Sequence, residues 1–167
     1  DADKSKFEIL YSEYKNLMYY TANRILRNSS DAEDVVHQAF LKVIEILDTI
    51  SSPRCHKTRA LLVTITEHKA IDLYREKQRR NVLPLAEEYI GAAPAAEIER
   101  LAARDTLAAA IASLPPRYRS VLLLRYDCGY SNAEIANILD TTEPNVRKLI
   151  QRAKEKLSAA LSGMEEP

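Results

Sequence analysis

The chain has 167 residues, with 24 Lys+Arg balancing 24 Asp+Glu, 29% charged and 46% apolar side chains. That composition excludes a disordered chain. Its longest charge-free run, the eleven residues Thr106–Pro116, excludes a membrane-spanning helix. Three scattered glycines, Gly91, Gly129 and Gly163, exclude a glycine-rich phosphate loop and argue against a turn-rich β fold.

In chain order, Phe7, Leu10, Tyr14, Leu17, Met18, Thr21 and Ile25 recur at helical spacing, and Asn28-Ser-Ser-Asp31 stops that helix. Ser30 with Glu33 reads as a capping box for a second helix, whose inner face is Val35, Val36, Ala39, Phe40, Val43, Leu47 and Ile50. Ser51-Ser-Pro53 breaks the chain. A third helix is expected over about Lys57–Arg80, with Leu61, Leu62, Ile65, Ile71 and Tyr74 inward. Pro84, Gly91, Pro94 and neighbouring small residues read as a flexible linker over residues 81–96. Beyond it, Glu97–Ser113 reads as a helix ended by Leu114-Pro-Pro116. A short helix over Arg117–Asp127, carrying Val121, Leu122, Leu124 and Tyr126, is closed by Gly129. Ser131 and Glu134 form a capping box for Asn132–Leu139. Thr142 caps a final helix with Pro144 in its first turn. Val146, Leu149, Ile150, Ala153 and Leu157 form its buried stripe. The expectation is an all-α protein of two small helical domains, residues 1–80 and 97–164.

The zero net charge hides local patches, and nucleic acid responds to patches. Residues 1–80 hold 14 basic and 12 acidic side chains, residues 81–112 hold 2 and 5, and residues 113–167 hold 8 and 7. Lys69–Arg80 and Thr142–Ser158 each carry five basic and two acidic residues. The second patch lies on a helix-turn-helix outline, a short helix, a three-residue turn and a projecting helix. Such a helix can enter a major groove about 12 Å wide. Asn145, Arg147, Lys148 and Gln151 are placed there to bond base edges or phosphates. A charged surface helix without a DNA role reads the same way.

Four ordered stretches sharpen the reading: Asp31-Ala-Glu-Asp-Val-Val-His-Gln-Ala-Phe-Leu-Lys-Val43, Leu61-Leu-Val-Thr-Ile-Thr-Glu-His-Lys-Ala-Ile-Asp72, Leu114-Pro-Pro-Arg-Tyr-Arg-Ser-Val-Leu-Leu-Leu-Arg-Tyr126 and Gly129-Tyr-Ser-Asn-Ala-Glu-Ile-Ala-Asn-Ile-Leu139. The chain resembles, over about residues 7–161, bacterial sigma factors of the extracytoplasmic-function group. The order matches their regions 2 and 4 with no region 3 domain. It departs from the family pattern at Leu61, where tryptophan is usual, at Glu67-His68 in place of Arg-Asn, and at His37-Gln38 in place of Gln-Glu. It departs again at Pro144–Leu149 in the recognition helix.

The resemblance implies roles for named residues. Asp31, Glu33, Asp34, His37 and Gln38 would dock on the coiled coil of the polymerase β′ subunit. The acidic residues among them also complement a helix N-terminus. Lys69, Arg75, Lys77, Arg79 and Arg80 would follow DNA near the −10 element. Arg54, His56 and Lys57, in the loop Asp48–Arg59, would receive an extruded base. Thr142, Asn145, Arg147, Lys148, Gln151 and Arg152 would meet the −35 element. Implied partners are core RNA polymerase (β′ coiled coil and β flap), promoter DNA and an anti-sigma factor. No export signal is evident at the start of the chain. Two cysteines in different halves read as free thiols, so a cytoplasmic location is expected.

No enzyme, metal or cofactor is expected. His37, His56 and His68 have no evident nucleophile partner, and Cys55-His56 lacks metal-ligand spacing. Two other readings stay open at this point, an autonomous helix-turn-helix regulator and a helical protein-binding adaptor. A dimeric regulator would protect paired half-sites.

Overall fold

The structure is a computed structural model that describes residues 1–81 and 106–165. Among these residues it is all helix and turn, with no strand. The chain divides into two compact units, Asp1–Pro84 and Leu85–Pro167. The expected linker 81–96 and the first part of the expected Glu97–Ser113 helix lie outside the described residues, apart from Asn81.

The first unit is three long helices, α1 (Ala2–Leu26), α2 (Ser29–Glu45) and α3 (His56–Asn81), packed pairwise on one another. Leu10, Tyr14, Met18 and Ala22 of α1 meet Val35, Ala39, Phe40 and Val43 of α2 and Leu61, Leu62 and Ile65 of α3 in the core. Each fully buried side chain of this size contributes about 1.5–3 kcal/mol. Phe7, Tyr11 and Phe40 close one end, with Phe7 edge-on to Phe40 at 5.8 Å between centroids. Tyr74, expected inward, is only half-buried.

The α1–α2 joint differs from the expected one. Helix α1 ends on Arg27, which turns left-handed (φ 51°) and donates its N–H to the Asn23 carbonyl. The cap of α2 is Asn28, whose carboxamide oxygen accepts the Asp31 N–H at 3.0 Å. Ser30 is already inside the helix. Asn28 is extended (φ −147°), and the cap falls two residues earlier than the Ser30 motif suggests. The loop Asp48–Arg59 is also shorter than expected. Leu47–Thr49 form a 3₁₀ turn and α3 begins at His56.

In the second unit, α4 (Thr106–Ser113), α5 (Pro116–Leu122) and α6 (Asn132–Ile138) all pack on α7 (Glu143–Glu165). Val121, Leu124, Ile135, Val146 and Ala153 are fully buried at its centre. The Ser131–Glu134 capping box forms in both directions. Beyond α5 the chain widens into a π turn, Leu123–Asp127, so the expected single helix to Asp127 is two pieces. The extra residue swings Tyr126 outward to 59% exposure while Leu124 stays buried. Gly129, at φ +78°, supplies the left-handed residue that follows.

The cap assignment carries a direct test. Asn28→Ala should destabilise the first unit by about 0.5–2 kcal/mol. Ser30→Ala should stay within about 0.5 kcal/mol. Urea unfolding midpoints of the two variants check this.

Candidate functional site

Three surfaces carry the residues singled out by sequence. On α2, Glu33, Asp34, His37 and Gln38 are exposed on the side opposite the core. Their helical spacing places Leu41 and Ile44 on the same face, and both stay more than half exposed. The face therefore runs from acidic at the helix N-terminus to apolar towards its C-terminus. Glu33 and His37 also line a groove of about 270 Å³, whose other wall is Tyr11, Lys15, Asn16 and Tyr19 of α1. Leu41, Ile44 and the α1 wall were missed by sequence reasoning. The available signal was that Leu41 and Ile44 fall off the buried stripe Val36–Phe40–Val43.

The second surface is the outer side of α3 and the loop before it. Several of its cations are already paired. Arg80 donates to Glu76 at 2.7 Å, one turn back. Arg54 bonds Glu13 of α1 at 3.2 Å. Lys77 pairs with Asp31 of α2, bringing together two residues that the sequence assigned to different surfaces. His68 lies 3.8 Å from Asp72. That imidazole, above all, holds the Asp72 carboxyl below its usual range, helped by Arg75 and Lys69. Lys57 and Arg79 extend into solvent, with no ion pair among the described residues. Lys69 and Arg75 are half-buried, and His56 is exposed in the first turn of α3.

The loop ahead of α3 is tied down. Tyr14 of α1 donates its hydroxyl to the Pro53 carbonyl at 2.7 Å, and Thr58 donates to the Ser52 carbonyl. Cys55 sits where α3 begins, its carbonyl accepting the Arg59 N–H. The Thr58 hydroxyl beside its sulfur, with backbone N–H groups of the first turn, lowers the Cys55 thiol below its usual range.

The third surface is the helix-turn-helix of α6 and α7. Asp140 (φ 53°) makes the turn and the Thr141 N–H returns to the Ala136 carbonyl. Thr142 caps α7 by accepting the Asn145 N–H at 3.3 Å. Asn145 also donates to the Thr141 hydroxyl, and Gln151 donates to Glu155. Arg147, Lys148 and Arg152 are exposed and make no hydrogen bond or ion pair among the described residues. Helical spacing puts Lys154 on the Arg147–Gln151 side, where its ammonium lies 5.4 Å from the Tyr126 ring centre.

These surfaces coincide with two family models, sigma-70 region 2 over residues 10–80 and sigma-70 region 4 over residues 104–157. The chain belongs to the sigma-70 family, in its extracytoplasmic-function group. It is an alternative sigma factor of transcription initiation. The sigma factor SigW of Bacillus subtilis is 27% identical, with 95% of this chain and 90% of that protein aligned. SigL of Mycobacterium tuberculosis is 28% identical over 96% and 91%. Among solved structures, the sigma factor CnrH in complex with the cytosolic domain of CnrY is 27% identical, with a TM-score of 0.41 over 94% and 88% of the two chains. Among the described residues of this sigma factor, no group of three or more His, Cys, Asp or Glu could hold a metal. No described helix is long and apolar enough to cross a membrane.

The cysteine microenvironment can be checked chemically. A thiol whose pKa is lowered carries more thiolate at neutral pH. Replacing Thr58 by Val should raise the Cys55 pKa and slow its alkylation by iodoacetamide at pH 7, while Cys128 labelling stays the same. Peptide mass spectrometry reads both rates.

Proposed function

We propose that region 2 docks on core RNA polymerase through the exposed face of α2 and holds −10 DNA along α3, while region 4 reads the −35 element with α7. The observation that carries the reading is the α2 face. A surface helix of a small unit has no folding reason to expose Leu41 and Ile44 in line with Glu33, Asp34, His37 and Gln38. Such a face suits a partner helix with a basic end and an apolar stripe, as the β′ coiled coil would present. The β flap is the corresponding partner for region 4.

On the DNA side, Lys69, Arg75, Arg79 and Arg80 supply the backbone charge that follows an opened strand. Arg54, in the tied loop, and His56 and Lys57, in the first turn of α3, are exposed and would receive an extruded base. Arg147 and Lys148 lie in the second turn of α7, within reach of base edges, with Thr142, Asn145, Gln151 and Arg152 beside them. The chain supplies promoter choice and strand separation, and the polymerase supplies the chemistry. It works in the cytoplasm with the polymerase. An anti-sigma factor that covers the α2 face and the α7 face together would silence it.

Leu41→Glu with Ile44→Glu should weaken core polymerase binding at least tenfold in a pull-down titration. The melting temperature should fall little, because both side chains are more than half exposed. Wild-type binding by this variant would remove the α2 assignment.

Arg147→Ala and Lys148→Ala separate base from phosphate contacts. A base contact should cost about 1–3 kcal/mol and relax one promoter position, while a phosphate contact should reduce the salt slope by about 0.9 on every promoter alike. Holoenzyme binding to a randomised −35 library at several salt concentrations distinguishes the two.

A further inference from the structure

Asp31 and Lys77 are 46 residues apart, one at the start of α2 and the other near the end of α3. The Lys77 ammonium donates to the Asp31 carboxylate. The Asp31 side chain is 18% exposed and that of Lys77 is 43% exposed, so water and ions reach the pair from the lysine side. Glu33 and Asp34, in the same turn, make no ion pair among the described residues. Arg54–Glu13, His68–Asp72 and Arg80–Glu76, also on the DNA side, involve no residue of α2. Asp31–Lys77 is thus an ion pair that joins the start of α2 to the basic end of α3.

A carboxylate shared between two cations attracts each less than it attracts one alone. A basic segment arriving on α2 competes with Lys77 for Asp31. A DNA phosphate arriving at α3 competes with Asp31 for Lys77. We propose that Asp31 is a positioning residue that couples the two faces: it holds Lys77 back in the free chain, and docking of a basic polymerase segment on α2 delivers Lys77 to a backbone phosphate. This inference rests on the assignment of α2 and α3 above. The coupling is reciprocal by linkage. A partly exposed pair limits it to roughly two- to fivefold in either affinity.

The experiment uses the full chain and its Asp31→Asn, Lys77→Gln and doubly substituted variants. Binding to a single-stranded oligothymidylate is measured over a range of salt, and binding to core polymerase is measured without DNA. Asp31→Asn should tighten oligothymidylate binding two- to fivefold and steepen the salt slope by about 0.7, one added phosphate contact on a single strand. Both changes should vanish in the Lys77→Gln background. Lys77→Gln should tighten core polymerase binding by the same factor. Asp31→Glu, which keeps the pair, should bind oligothymidylate with the wild-type salt slope and guards against a folding defect in Asp31→Asn. Equal tightening by Asp31→Asn with and without Lys77 would overturn the proposal, since removal of one negative charge would then explain it. So would unchanged core affinity in Lys77→Gln. Arg79→Gln tests the underlying assignment separately: unchanged oligothymidylate binding there means that α3 is not a DNA surface, whatever the pair does.

Discussion

In each unit one helix has to be core and working surface at once. In region 2 that helix is α3. Its middle is buried nearly all round, from Leu61, Leu62 and Ile65 to Thr66, Glu67 and Ala70. A helix of 26 residues is about 39 Å long, and burial of its middle fixes the direction of the cations beyond it. In region 4, α7 divides lengthwise instead. Val146, Ile150 and Ala153 face inward and Arg147, Lys148 and Arg152 face out. Without those buried stripes neither set of cations would have a fixed direction.

Several cations on the α3 side of region 2 are paired with carboxylates. Arg54 is held by Glu13, Arg80 by Glu76, and Lys77 by Asp31. Exposed pairs of this kind contribute at most about 1 kcal/mol each, and salt screens them. They orient long side chains at small energetic cost, and a phosphate can displace the carboxylate. The recognition helix is different. Arg147 and Lys148 have no carboxylate partner among the described residues, so region 4 presents its charge directly.

Much of this architecture was legible in the sequence because the signals are short-range. The stripes of α1, α2 and α7 follow from spacing alone. The Ser131–Glu134 box and the Thr142 cap are one-turn motifs whose atoms meet as written. The misreadings arise where two local motifs compete or where distant segments decide. Asn28 and Ser30 each stand three residues before an acidic residue, Asp31 and Glu33, and backbone geometry chose Asn28. The π turn has no signature in Leu123–Asp127, yet it turns Tyr126 from core to solvent. Leu41 and Ile44 look like core residues until the helix phase is fixed by their neighbours. The Asp31–Lys77 pair joins the start of α2 to the end of α3, and no periodicity within either helix announces it.

The central claim, a promoter-specifying subunit with two DNA-reading units and one polymerase-docking face, is tested most directly by transcription. Core RNA polymerase from the native host, with and without the full chain, would be supplied with a library of host promoter fragments and its start sites mapped. The account predicts start sites that appear only with both components, downstream of two unlike elements at a fixed spacing. Start sites unchanged by the chain, together with protection of a palindromic site by the chain alone, would contradict it.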